Sequence, residues 1–587
     1  MRARLTSIAV GYLALAFVGC LNDPPTFVAS FETVSDMAAE QIGNRMPQSN
    51  ERADTADDVD QGAQRSPNAF SDSFTRFGSC QVSVAAQDGL LLNDRWSDGA
   101  IIDLENIGER LEIELVQPPL GGILQLGTDG SFTYSSTDPR LEVDHFSYRI
   151  RYEGRAGEQA KVFIRQPNNR IIIDSLEDAV AGTEQCTLRQ AIARTNGQAD
   201  VGRCLEIDDG PVHLVFANLG AVVFQPAYHA DRLSDDPSNQ TIFGETDAHD
   251  LFISKQVHIH GCGPELTILD GAGSQRHFHI GQNATLTLEN LALINGRAEL
   301  GGSILNEGIL NTRGVRFANN RALGKDGASA IGAETPTDVL ACNVLGSGGG
   351  GGGGAGIGGA IAGLRGSQTV LQSSADHPCR FTGNMAIGGK GGAISRVDVP
   401  SDSLACGGHG GGLGAGTGGF SHLQHDGVSA ALMGGGGGGS PNGFYTYSGY
   451  GGDGGFGGGG GSGANLYLLT DGTNGMGGFG AGDGAEPPYG ENGGGGGGGA
   501  GLGGAVGILA GQLVVDDCSF SDNVTRPGLG GRPANQDGLG RGADGTGLGD
   551  DIFTLRASHA IDTNLIDWII CEEVSDEGSA ECAFDAP

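Results

Sequence analysis

Asn290-Leu-Ala-Leu-Ile-Asn-Gly-Arg-Ala298 and Gly314-Val-Arg-Phe-Ala-Asn-Asn-Arg-Ala322 are one pattern written twice in close succession. Cys379-Arg-Phe-Thr-Gly-Asn-Met-Ala386 and Cys518-Ser-Phe-Ser-Asp-Asn-Val-Thr525 carry it again. Three copies hold Phe and Asn at a fixed spacing: Phe317 with Asn320, Phe381 with Asn384, Phe520 with Asn523. Beside them recur glycine turns closing on a small and then a branched residue, at 301–304, 358–361, 391–394 and 503–506. A coil of roughly 20 to 25 residues holding two or three short strands cannot bury its apolar face alone, so its repetition predicts a solenoid. Strand alternation names the stacked inward residues: Leu286, Leu288, Leu291, Leu293, Ile309, Leu310, Val315 and Phe317. An Asn after the strand tolerates a left-handed backbone and can bond the neighbouring turn, while paired glycines permit the positive φ of a tight corner. The repeat specifies corners and core, not chemistry.

Outward from the repeat the text changes character. The first coils and an N-terminal cap occupy 170–345, glycine-rich insertions with interspersed coils 346–505, and the last coils with a C-terminal cap 506–587. Between 341 and 500 more than a third of the positions are glycine, with unbroken runs at 348–354 and 493–499. Such tracts build no side-chain core. They read as long excursions from solenoid corners, with polyglycine helices packed side by side as the second reading. Words such as Gly452-Asp-Gly, Gly482-Asp-Gly and Gly549-Asp-Asp-Ile lack the consecutive spacing of calcium-binding nonapeptides.

Toward the N-terminus, 79–166 alternates with period two through Leu111–Leu115, Gly122–Leu126, Ser131–Tyr134 and His145–Ile150, with Asp129-Gly130 as a hairpin turn. A small β-sandwich is expected. Asp94 and Asp98 are its candidate calcium ligands, a sparse set for that ion. Residues 20–76 are polar, acidic and poor in aromatics, which reads as a disordered tether. Residues 1–19 carry Arg2, Arg4 and an apolar run to Phe17, the form of a signal peptide too short to span a bilayer.

The chain has 109 glycines in 587 residues and a formal charge of -36, which repels nucleic acid and favours an exported, well-solvated surface. Setting Cys20 aside leaves ten of the eleven cysteines, an even number that suggests disulfides in an exported chain. Cys186 with Cys204, and Cys571 with Cys582, are the nearest pairs by spacing. No C-x-x-C or paired Cys/His spacing points to zinc.

Phe17-Val-Gly-Cys20 resembles the lipobox of bacterial lipoproteins. The resemblance implies a diacylated Cys20 at the mature N-terminus, an outer-membrane anchor and surface exposure, with secretion as the alternative. The words at 88–94, 129–134 and 144–150 resemble bacterial immunoglobulin-like and cadherin-like repeats. Cys186-Thr-Leu-Arg-Gln-Ala-Ile192 resembles the C-S-L-R-E-A motif that opens secreted bacterial β-helix proteins, with Gln190 in place of Glu. Arg189 then belongs to a structural cap. The F-x-x-N words paired with glycine turns resemble the repeats of chlamydial polymorphic membrane proteins, β-helical adhesins. The expected fold is all-β: a small sandwich followed by a right-handed parallel β-helix of the pectate-lyase-like kind with long glycine-rich insertions.

Such helices also carry polysaccharide lyases and hydrolases, which require converging carboxylates, or a carboxylate-bound calcium beside a basic residue. Gly408-His409-Gly410 resembles a polygalacturonase word, yet it stands in low-complexity glycine. Asp208-Asp209 has no visible partner. His258 with His260, and His277 with His279, share strand faces close to one coil apart, which suggests either a stacked, solvent-facing histidine patch or a metal site. No P-loop, nucleophile elbow or H-E-x-x-H word occurs. The sequence therefore reads as a non-catalytic surface scaffold meeting a host, matrix or polysaccharide ligand, with no catalytic residue and no metal assigned; the carbohydrate-active enzyme is the alternative.

Overall fold

The computed structural model describes 66–102, 110–178, 184–198, 203–204, 207–225, 250–329, 349–393, 407–418, 426–440, 449–464, 472–487, 493–532 and 540–555, and the backbone of 558–562, 568–574 and 580–585. These residues form an all-β chain with several long parallel sheets.

The sandwich begins earlier than the sequence suggests. Pro67–Asn68 and Asp72–Thr75, inside the expected tether, pair with Arg155–Arg165 and complete a six-stranded sheet. Phe74 is the reason: its ring packs at 4.9 Å on Phe132, which belongs to the facing three-stranded sheet. Phe132, Phe146, Tyr134 and Tyr148 fill the core between the two sheets.

Beyond residue 170, successive coils lay each strand in register on the one before. The leading sheet runs Arg170–Ile173, Val212–Phe216, Gln256–His260, Thr285–Glu289, Ile309–Arg313, Gln368–Gln372, Gln512–Asp516 and Ser558–Asp562, all parallel. A middle sheet runs from Gly220–Val223 to Cys518–Ser521, and a third, which we call the shielded sheet, from Leu251–Ile253 to Trp568–Val574. An antiparallel strand, Ala580–Asp585, closes the shielded sheet. Leu286, Leu288, Leu291, Leu293, Leu310, Val315 and Phe317 share one buried core. Ile309 does not join it: alternation gives the inward place to Leu310 and leaves Ile309 half-buried.

The repeated Phe and Asn form two columns. Phe317, Phe381 and Phe520 stack at 4.6 and 4.8 Å with rings 6° from parallel. Asn320, Asn384 and Asn523 form a hydrogen-bonded ladder that ends on the carboxylate of Asp551. The left-handed residue is the one before each ladder Asn: Asn319, Gly383 and Asp522. Bonding and turning, expected of one Asn, are divided between two neighbours. Gly301, Gly358, Gly503 and Gly549 turn the corner before four successive shielded strands with φ of +57° to +69°. Gly549-Asp-Asp-Ile is therefore a corner word, whereas Gly391-Gly-Ala lies in the glycine region.

The insertions are excursions from a solenoid corner, and within them the second reading, glycine helices packed side by side, describes their form. Three excursions leave the same corner of successive coils, after Leu323, Ile387 and Arg526, and form one array of side-by-side helices. In 349–356, Gly349, Gly352 and Ala355 donate to Gly439, Gly436 and Met433; Gly350, Gly353 and Gly356 donate to Gly494, Gly497 and Ala500; Gly351 and Gly354 donate to Ala328 and Lys325. A donor direction that returns every third residue is the signature of a threefold, polyproline-II-like helix. The same segment accepts from Gly389 and Gly392, Gly408 and Gly411, and Gly459 and Ser462, so six neighbours surround it. A Cβ on Gly353 would lie 2.0 Å from the carbonyl oxygen of Gly389, so this position admits no side chain.

At the array's base, Leu413, Phe479 and Leu502 pack against Leu305, Ala362 and Phe553 on the outer face of the shielded sheet, forming a second core. At its edges, N–H groups left without a neighbouring helix meet side chains: Lys390 N donates to Asp326, Met476 N to Asp453 and Gly530 N to Asp544.

Candidate functional site

Where the array's first outgoing helix meets the solenoid, a cleft of about 520 Å³ is lined by Asp250, Gln275, Arg276, Glu299, Lys325 and Asp326, among others. Its floor is an ion pair: Arg276, almost wholly buried, holds Asp250 at 2.5 Å and donates through Nε to the carbonyls of Leu300 and Gly301. Glu299 is 6% exposed and faces Lys325 at 3.6 Å. The Gln275 amide is 3% exposed, and neither its oxygen nor its nitrogen meets a partner among the described residues. A buried amide without partners carries a desolvation cost that a polar ligand or water would relieve. Three acidic and several basic groups thus converge in one groove, although Asp250 is engaged by Arg276 and Asp326 by the backbone of Lys390. Sequence reasoning missed this cleft because its residues come from five separated segments and share no motif.

The histidines divide differently from the sequence expectation. His258 and His260 lie on the leading sheet, His277 and His279 beside or within the shielded sheet, so the four do not form one patch. His277 is buried, bonded to Ser303 and the Leu269 carbonyl, and burial holds its pKa down at about 4. His279 bonds Glu307. The companion of His258 is His213, its register partner on the preceding strand. Val212-His-Leu214 and Val257-His-Ile259 repeat one word, a signal legible in the sequence.

Cys186–Cys204 is a disulfide, as are Cys80–Cys262 and Cys379–Cys518. Cys571 and Cys582 are backbone partners in the final antiparallel ladder; their side chains lie outside the described residues. Cys20 also lies outside them. In the cap, Thr187 and Gln190 form a capping box for the helix Leu188–Thr195, and Arg189 makes a bidentate pair with buried Asp178. Gln in place of Glu keeps the box intact, since its Oε1 accepts from Thr187 N. The two candidate calcium ligands take separate roles: Asp94 is buried and accepts from Phe70 N and Tyr148 Oη, while Asp98 accepts from Ala100 N in an exposed turn. His409 belongs to the glycine array, accepting from Gly418 N. Asp208 and Asp209 line a recess with Arg194 and Lys255.

No protein-family model matches the chain, and no curated protein matches it.

Proposed function

We propose that this chain is a bacterial lipoprotein held to the outer membrane through Cys20, carrying an immunoglobulin-like sandwich and a right-handed, pectate-lyase-like β-helix outward for adhesion. Right-handed connection between parallel strands is the general rule and supports that hand here. One observation carries the reading. Among the described residues, the glycine helices run seven out from the solenoid and seven back, the outgoing ones reaching 329, 393, 418, 440, 464, 487 and 532 and the returning ones starting at 349, 407, 426, 449, 472, 493 and 540.

Helices without side chains recognise nothing themselves, so recognition would fall to the sequences that join them. The crossover sequences include Phe444-Tyr-Thr-Tyr447 and Leu466-Tyr-Leu-Leu469, whereas the inner turns spend their apolar residues on the solenoid. Aromatic residues in the sequences that join the helices are of the kind that anchor a protein or polysaccharide partner. The test is adhesion of cells displaying the chain to host-cell, matrix and envelope-glycan surfaces. Replacing Phe444, Tyr445, Tyr447 and Tyr467 with Ser is expected to abolish attachment, and Cys20→Ser to release the chain into the medium. Unchanged attachment of the aromatic-to-serine variant would overturn the reading.

The charged cleft favours a second reading, a polysaccharide lyase or hydrolase, with Asp250, Glu299 and Asp326 as acids and Lys325 as base. Incubation of the purified chain with polygalacturonate or alginate, with and without calcium, followed by reducing-end and unsaturated-product assays, separates the two.

A further inference from the structure

The outer face of the leading sheet carries an arrangement unlike the rest of its ladder. His213 and His258 are direct register partners, and His260 lies two residues along the same strand on the same face. In later coils the His213–His258 row continues as Thr287, Asn311 and Val370. Each imidazole offers one ring nitrogen, and the three nitrogens lie within 4.8 Å of one another. His213 Nδ1 is 2.9 Å from His260 Nε2. Tetrahedral Zn–N bonds of about 2.0–2.1 Å place ligand nitrogens about 3.3 Å apart, so small side-chain rotations bring the three onto one ion.

The second ring nitrogen of His260 is already committed. Nδ1 donates to Glu289 Oε2 at 2.9 Å, which leaves Nε2 with its lone pair directed into the cluster. The bond to His260 also holds the Glu289 carboxyl below its ordinary range, so it is ionised and a strong acceptor. Phe77 lies flat on the His260 ring, 3.8 Å away and 8° from parallel, fixing its plane. Burial first, and the neighbouring histidines second, lower the pKa of His213 and of His258. Neutral imidazole is the ligating form.

We propose that His213, His258 and His260 bind one divalent transition-metal ion of the zinc or copper class, with Glu289 orienting His260. Three nitrogen ligands leave a fourth position for water or an external donor. The site stands beside the Cys80–Cys262 disulfide, where Ser79 N donates to the Phe216 carbonyl.

The test is calorimetric titration of the untagged full-length protein with ZnSO4 and, separately, CuSO4, using MgCl2 as control. One saturable ion per chain is expected for zinc or copper and none for magnesium. His258→Ala is expected to weaken binding at least tenfold, and Glu289→Gln by 10- to 100-fold, the usual range for losing such an orienting carboxylate. Absence of one-to-one binding, or affinity unchanged in His258→Ala, overturns the proposal. Should a variant fail to fold, the Co2+ spectrum of the unaltered protein decides: intense visible bands of a nitrogen-rich tetrahedral site support it, and the weak spectrum of hydrated cobalt overturns it.

Discussion

The Asn523 carboxamide oxygen accepts twice from Asn384, through the backbone N–H at 3.0 Å and through Nδ2 at 2.9 Å. Asn384 repeats the arrangement one coil back, where its own oxygen accepts from the N–H and the Nδ2 of Asn320. Each residue also donates to the carbonyl of the phenylalanine three positions before its ladder partner, Asn384 to Phe317 and Asn523 to Phe381.

Asn384→Ala removes an acceptor from two buried donors and a donor from the buried Phe317 carbonyl. We expect a loss of about 3 kcal/mol, on the scale of leaving buried polar groups unpaired, read as a lowered denaturant midpoint of the solenoid. Asn384→Asp is expected to be no better, because an ionised carboxylate donates to neither Phe317 O nor Asn523.

Gly353→Ala puts a methyl group 2.0 Å from a backbone oxygen at the centre of the array. Neighbouring helices must separate, at a cost on the order of 3 kcal/mol, the upper end for overpacking. Hydrogen exchange of the array amides is expected to accelerate. Met476→Ala, on a side chain 58% exposed, is the matched surface control and is expected to leave exchange unchanged.

The Cys379–Cys518 disulfide closes a loop of 139 residues across directly paired strands. The double alanine variant is expected to lose about 5 kcal/mol by the loop-entropy scale. Thermal unfolding of the oxidised and variant proteins measures it; equal midpoints would show that the stacked strands alone define the state.

In the sandwich, burial first and the Asp94 charge second push the Asp72 carboxyl up to about 7, and burial raises Asp94 to about 6. With folded pKa values above the unfolded value of 3.8, the folded state binds more protons between about pH 4 and 7. Sandwich stability therefore falls as pH rises through that window. Asp72→Asn is expected to stabilise the protein at pH 8 by on the order of 1 kcal/mol after solvent screening, and to have no such effect at pH 4. Denaturant titrations at the two pH values supply the comparison.

The solenoid was legible because its signals are side chains in columns: Leu286 and Leu310 stand a single short coil apart in sequence and adjacent in the ladder. Longer intervals hid the rest. His213 and His258 are partners across a much longer coil, and Thr369 and Leu513 are partners across an entire excursion, so no fixed period finds them. The step from His258 to His277 matched a coil by length, but the true partner of His258 is Thr287, farther along the chain; a shorter step lands on the preceding sheet. The glycine array was the hardest to read because its contacts are backbone to backbone. Composition announces that side chains are absent, not that their absence admits six neighbours.

All three excursions leave the solenoid at one corner, and the strands flanking the longest are still in register after it. The corner therefore tolerates growth. Asp453 and Met476, 23 residues apart, lie on adjacent helices, so one added out-and-back pair of similar length widens the array and leaves the strand register of the coils untouched. Since lengthening a closed loop costs only about 0.6 kcal/mol per doubling, the fold separates the size of its outward face from the stability of its trunk.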